Sequence, residues 1–156
     1  MDINQVFAKI LVPIDGSESS FHAAHIASSI ANKFNSEITL LCIVVSPSQY
    51  EYINLTGLVT PKQIDMIIQK AKEESRDWFN RIEDMVKKEN PNTKLSTKVI
   101  LTGIAVYGEI IQYAEKENID LIVIGTRGKS GIKKLLLGST ASAVVTYANC
   151  PVLVTK

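Results

Sequence analysis

Residues 8–45 read AKILVPIDGSESSFHAAHIASSIANKFNSEITLLCIVV, and the fold class turns on them. Two runs rich in Ile, Val and Leu, Ala8 to Ile14 and Glu37 to Val45, are bounded by Asp15-Gly16-Ser17 and Ser46-Pro47-Ser48, as strands buried on both faces would be. Between them Phe21, Ala24, His25, Ala27, Ala31 and Phe34 recur at spacings of mostly three or four, the period of a helix face. Asp15-Gly16-Ser17 supplies the turn and N-cap chemistry that starts such a helix. Strand, helix and strand in this order make a right-handed crossover between parallel strands.

The pattern repeats along the chain. Residues 46–60 (SPSQYEYINLTGLVT) carry turn formers, two tyrosines and no clear period, and read as a loop longer than most connections, a place for a function or a protein partner. Thr60 and Pro61 then give an N-cap and first-turn signal. Ile64, Ile67, Ile68, Ala71, Trp78, Ile82 and Met85 mark a long amphipathic helix that fades near Asn90-Pro91 and could break near Glu74. Trp78 and Phe79 fit packing of that helix on the sheet better than a stacking platform for bases. Lys94 to Leu101 alternates into a third strand, Val106 to Glu117 is a third helix, Asp120 to Ile124 a fourth strand, Ser139 to Ala148 a helix and Pro151 to Thr155 a last strand. The expected fold is an α/β parallel sheet covered on both faces by helices. Ligands of such open sheets sit beyond the carboxyl ends of the strands, where the strand order reverses, and Asp15 and Gly125 both lie at such ends.

With 156 residues the chain is expected to be a single domain, 1–156, large enough to bury a core without staples. Apolar residues at 46% and charged residues at 21% disfavour disorder and fibrous classes. A net charge of +1 and the lack of a basic stripe interleaved with aromatics argue against nucleic acid as a partner. No segment has the apolar length of a membrane span, and the first residues, Met1-Asp2-Ile3-Asn4, do not open a signal peptide. Cys42 and Cys150 show no zinc or redox spacing, and a reduced, cytoplasmic setting is the expectation.

The chemistry concentrates after the fourth strand. Gly125-Thr126-Arg127-Gly128 and Gly138-Ser139-Thr140 have the spacing GxxGx9G[ST]T. Glycines at 125, 128 and 138 let the backbone turn with positive φ and come close to a ligand. Ser139 and Thr140 fall in the first turn of a helix, whose unpaired N–H groups and macrodipole favour an anion such as phosphate. An ordinary glycine-rich loop with a serine cap explains any one of these residues but not all five in register. Arg127, Lys129, Lys133 and Lys134 read either as a solvated basic face or as phosphate contacts. A Walker A loop is excluded because Val123 stands where its first glycine belongs, and no GxGxxG is present. Asp15 could cap the first helix or accept hydrogen bonds from a sugar hydroxyl or base amine across a crevice from Gly125. His22 and His25 have no acidic partner at ligand spacing, and no GxSxG elbow exists, so a Ser/His/Asp triad is not supported.

Ile10-Leu11-Val12-Pro13-Ile14-Asp15-Gly16-Ser17, the GxxGx9G[ST] stretch and Cys150-Pro151-Val152-Leu153-Val154 together resemble the universal stress protein family over essentially the whole chain. That resemblance implies an open, doubly wound, Rossmann-like five-stranded sheet in the order 3-2-1-4-5. It further implies the ATP-binding branch of the family: Pro13, Asp15 and Ile43 lining an adenosine pocket, Ile124 and Gly125 backing base and ribose, and Gly128, Gly138, Ser139 and Thr140 holding phosphates, often with Mg²⁺ or Mn²⁺ bridging them. Thr126-Arg127 stands where the family commonly has Ser-His or Ser-Arg, and Arg127 is counted with the site. Members usually pair as homodimers through their last strands, and Pro151 to Thr155, an apolar strand at an expected sheet edge, suits such pairing. Three functions follow as expectations: an ATP-binding stress-response switch or sensor with little turnover, a slow ATP hydrolase or self-phosphorylating enzyme, and a nucleotide-free dimeric scaffold. ADP or AMP could occupy the same site.

Overall fold

Apolar side chains alternate between two faces along each central strand, and each face carries its own core. In the computed structural model, which describes residues 6–45, 60–126 and 137–156, the strands are β1 (Lys9–Pro13), β2 (Glu37–Val45), β3 (Leu95–Thr102), β4 (Leu121–Gly125) and β5 (Val152–Thr155). The helices are α1 (Glu18–Phe34), α2 (Pro61–Glu89), α3 (Val106–Glu117) and α4 (Ser139–Tyr147). The strands form one sheet in the order β3-β2-β1-β4-β5, parallel throughout. The expected order and α/β class are therefore what the structure shows.

Ile10, Val12, Ile38, Leu40, Leu121 and Val123 meet the small residues Ala23, Ala24, Ala27 and Ala31 of α1 and Phe79, Ile82 and Val86 of α2. Leu11, Leu41, Ile122 and Ile124 face the other way, onto Ile110 and Ala114 of α3 and Ala141 and Val144 of α4. Each such large side chain removed from water contributes about 1.5–3 kcal/mol. The alanine stripe lets α1 lie close on β1 and β4, which brings its N-terminus against the carboxyl end of β4.

Local signals set the element ends. Ser17 is the N-cap of α1, its hydroxyl accepting the Ser20 N–H at 3.2 Å, and Asn35 closes the helix in the left-handed conformation with φ 55°. Thr60 precedes α2, and Gln63 Oε1 accepts the Thr60 N–H at 2.8 Å. At the amino end of the sheet, Asp120 Oδ2 accepts the Lys9 N–H at 2.8 Å. Asp120 thus pins β1 to β4 rather than opening β4, which begins at Leu121. Lys94 sits 2.8 Å from Glu37 Oε1 and holds that carboxyl below the usual carboxylate range.

Two expectations need adjustment. α2 does not break near Glu74 but runs unbroken from Pro61 to Glu89. The apparent fault in its apolar stripe is Ser75, fully buried on the packed face, whose hydroxyl is satisfied inside the helix by the Lys72 carbonyl at 3.3 Å. β3 is an edge strand without regular alternation of burial. The loop at 46–59 lies outside the described residues, as do Arg127, Gly128, Lys129, Lys133 and Lys134. Among the described residues no helix is long and apolar enough to cross a membrane.

Candidate functional site

β1 ends at Pro13, and the chain stays pinned to β2 for one more residue through the Ile14 N–H to Leu41 carbonyl bond of 2.8 Å. It then turns at Asp15-Gly16-Ser17. Asp15 Oδ1 accepts both the Ser17 N–H, at 3.0 Å, and the Ser17 hydroxyl, at 2.6 Å. The two readings of Asp15 separate here. Ser17 is the cap of α1, while Asp15 is held by Ser17 and lines a cavity.

That cavity, of about 220 Å³, lies at the carboxyl ends of β1, β2 and β4. Pro13 and Asp15 come from β1 and its turn, Leu41 and Ile43 from β2, and Ile124, Gly125 and Thr126 from the end of β4. Gly138, Ser139, Thr140 and Ala141 close it from the start of α4, and Val106 and Ile110 from α3. The position is the topological switch point, where β1 has β2 on one side and β4 on the other. Eight of the residues singled out from the sequence, Pro13, Asp15, Ile43, Ile124, Gly125, Gly138, Ser139 and Thr140, thus line one cavity. Arg127 and Gly128 are outside the described residues.

Backbone bonds fasten both ends of the glycine-rich segment. The Thr126 N–H donates to the Thr155 carbonyl and the Gly138 N–H to the Thr126 carbonyl, each at 2.9 Å. β4 and α4 therefore leave and rejoin at one point. The residue at the α4 N-cap, Gly138, has no side chain to offer the first turn, and intrahelical bonding begins with the Ser142 N–H to the Gly138 carbonyl at 2.9 Å. The leading N–H groups of α4 are an anion-favouring end beside the cavity.

The glycines work differently from the sequence expectation. Neither Gly125 nor Gly138 has positive φ; Gly138 sits at φ −58°, ψ 150°. Gly125 is glycine because α1 crosses it: a Cβ there would lie 2.7 Å from the Ser19 carbonyl carbon and oxygen. The positive φ belongs to Gly16, at 80°. His22 is exposed, as is His25, which meets an acidic side chain from another helix. His25 Nδ1 lies 3.3 Å from Glu89 Oε1 on α2, so an acidic partner exists, and Glu89 Oε2 accepts the buried Ser28 hydroxyl at 2.5 Å. Neither His22 nor His25 lines the cavity.

Sequence reading missed Leu41, Val106 and Ile110. A signal for Leu41 was available, since period-two alternation places it on the same face of β2 as Ile43. Val106 and Ile110 are four apart, one turn of α3, but which helix face covers which strand end is a tertiary fact. Of the cysteines, Cys42 is buried, and burial pushes the Cys150 thiol up. Among the described residues no three His, Cys, Asp or Glu side chains gather as a metal cage.

The family model described as universal stress protein family matches residues 7–156. The chain belongs to the universal stress protein family. Two relatives of this universal stress protein are MJ0531 of Methanocaldococcus jannaschii, 38% identical over 97% of this chain and 83% of its own length, and YxiE of Bacillus subtilis, 32% identical over 97% of this chain and all of its own. Its fold matches the solved UspA of Lactobacillus plantarum with TM-score 0.71 at 26% identity, covering 96% of this chain and 98% of the other. The same fold occurs in a universal stress protein solved with cAMP (TM-score 0.72, 20% identity, 97% and 99% covered). It also occurs in an Archaeoglobus fulgidus universal stress protein solved with dAMP (TM-score 0.66, 18% identity, 97% and 100% covered).

Proposed function

We propose that this universal stress protein binds ATP in the cavity at the carboxyl ends of β1, β2 and β4, and that occupancy acts as a nucleotide-dependent switch or sensor in the stress response, with little turnover. The observation that carries this reading is the union of two unlike halves in one cavity. Pro13, Ile43, Ile124, Val106 and Ile110 form an apolar half suited to a base, and Asp15, on the same wall, is the acceptor proposed for a sugar hydroxyl. Gly138, Ser139 and Thr140 form the other half at an N-terminus without a side-chain cap, suited to phosphates. The family members solved with cAMP and dAMP support an adenine nucleotide as the ligand; ADP and AMP fit the same halves with fewer phosphates.

A Mg²⁺ or Mn²⁺ would arrive on the phosphates, near the Ser139 and Thr140 hydroxyls, since among the described residues no three His, Cys, Asp or Glu side chains form a protein cage for it. Such an ion would neutralise phosphate charge. Little turnover is part of the same proposal: among the described residues that line the cavity Asp15 is the one titratable side chain, and two hydrogen bonds from Ser17 already engage it.

Gly138→Asp separates binding from folding. Its φ and ψ are ordinary N-cap values, and aspartate is a favoured cap, so the variant is expected to be as stable as the parent or a few tenths of a kcal/mol more so. The same carboxylate occupies the anion end. Calorimetry should show ATP binding weakened by roughly a hundredfold, about 2.7 kcal/mol, with adenosine affected far less. Unchanged ATP affinity would sink the reading.

The edge strand supports homodimer formation as part of the same proposal. The carbonyls of Pro151 and Thr155 accept from β4, so by alternation the N–H groups of Val152 and Val154 point to the free edge, where Leu153 is 37% exposed. Val154→Pro deletes an outward donor and leaves the β4 ladder in place. Light scattering is expected to report two chains for the parent and one for this variant; a dimeric Val154→Pro would count against strand pairing.

A further inference from the structure

The turn that presents Asp15 is backed by a side chain from a helix that otherwise has no part in the cavity. Gly16 has φ 80°, a region open to glycine and therefore permissive. The space its missing Cβ would take is filled by Trp78 of α2, whose Cε2 and Cζ2 would both lie 2.5 Å from that Cβ. On either side of Gly16 stand the partners of the turn, with Ser17 holding Asp15 Oδ1 through two hydrogen bonds. Trp78 is itself half-buried against the α1 core. α2 is seated on α1 at further points along its length: the Arg81 guanidinium lies 4.5 Å from the Phe21 ring centroid, and Glu89 bonds Ser28 and faces His25. None of these anchoring side chains lines the cavity.

We propose that Trp78 is a positioning residue for the nucleotide site, its indole holding the Asp15-Gly16-Ser17 turn so that occupancy of the cavity and the seating of α2 on α1 are coupled. This rests on the nucleotide reading above. A glycine turn has more accessible backbone states than any other, and the ring wall removes those in which Gly16 moves toward α2 and draws Asp15 from the cavity. Coupling of this kind is reciprocal: a ligand that fixes Asp15 also fixes Trp78, and a protein that engages α2 and shifts it lowers nucleotide affinity. α2 is then the path by which nucleotide state reaches a partner. Trp78 is the single tryptophan of the chain, so it reports on the event.

The experiment compares the parent, Trp78→Phe and Trp78→Ala by calorimetry with ATP and by amide hydrogen exchange of the ligand-free chains. Trp78→Ala is expected to bind ATP roughly tenfold more weakly, and Trp78→Phe, which keeps an aromatic wall, to recover most of the loss. The Ser17 amide should exchange faster in Trp78→Ala while amides of Ile10, Leu11 and Val12 stay protected, which distinguishes a loosened turn from a chain that fails to fold. Saturating ATP should shift the indole emission of the parent. Equal ATP affinity in Trp78→Ala together with unchanged Ser17 protection overturns the proposal. A parent that takes up no adenine nucleotide overturns the function reading alone, and the Ser17 exchange then still decides whether Trp78 holds the turn.

Discussion

Gly125→Val is expected to unfold about 3 kcal/mol more readily than the parent in urea and to bind no measurable ATP. The reason is the crossing of α1 over the end of β4. The atoms that a Cβ would meet at 2.7 Å are the backbone carbon and oxygen of Ser19, in the first turn of a helix fixed by the Ser17 cap and by a stripe of buried alanines. Backbone cannot rotate aside as a side-chain tip can. To admit two further methyl groups, the start of α1 must lift, and with it go Ser20 and the Asp15 turn, both of which line the cavity. Stability and binding are therefore lost together. Gly108 supplies the contrast: among the described residues a Cβ there would meet only Ile104 side-chain carbons, the nearer at 3.2 Å, so Gly108→Ala is expected to leave ATP binding intact and to be neutral or stabilising by up to about 1 kcal/mol from helix propensity. If Gly125→Val were as stable as the parent, the close approach of α1 would not be a constraint.

Gly16→Ala is expected to lose about 2–4 kcal/mol, from two separable causes. The first is the backbone: a φ of 80° is unfavourable for alanine by about 1–2 kcal/mol. The second is overlap with the Trp78 ring at 2.5 Å, which must be relieved by moving the turn or α2. A double-mutant cycle with Trp78→Ala separates them. Removing the ring clears the overlap but not the strain, so the double variant should be more stable than the sum of the two single changes predicts, and the difference measures the contact. Strict additivity would show that ring and turn do not touch in solution.

The architecture was legible because its signals are local and repeated. A strand buried on both faces reads as a continuous apolar run, and Leu121 to Ile124 supplies alternate faces to both cores without a polar residue to hide it. α2 was legible in extent but not in continuity. Ser75 interrupts the apolar stripe, and a hydroxyl satisfied by its own helix is invisible to a pattern that counts only apolar residues. The partner of His25 was out of reach for a different reason, since Glu89 comes from the far end of another helix.

The sequence by itself determined the alternation of strands and helices, the start of α1, and the presence of a glycine-rich segment with Ser139 and Thr140 at a helix start, because periodicity, capping and turn chemistry act within a few residues. Only the tertiary structure decided why positions 125 and 16 are glycine. Gly125 makes room for α1 and Gly16 for Trp78, contacts between segments distant in the chain, and such close approaches exist only once both partners are packed on the same face of the sheet. The tertiary structure also separated the two readings of Asp15, by assigning the helix cap to Ser17 and setting Asp15 among the residues that line one cavity with the α4 end.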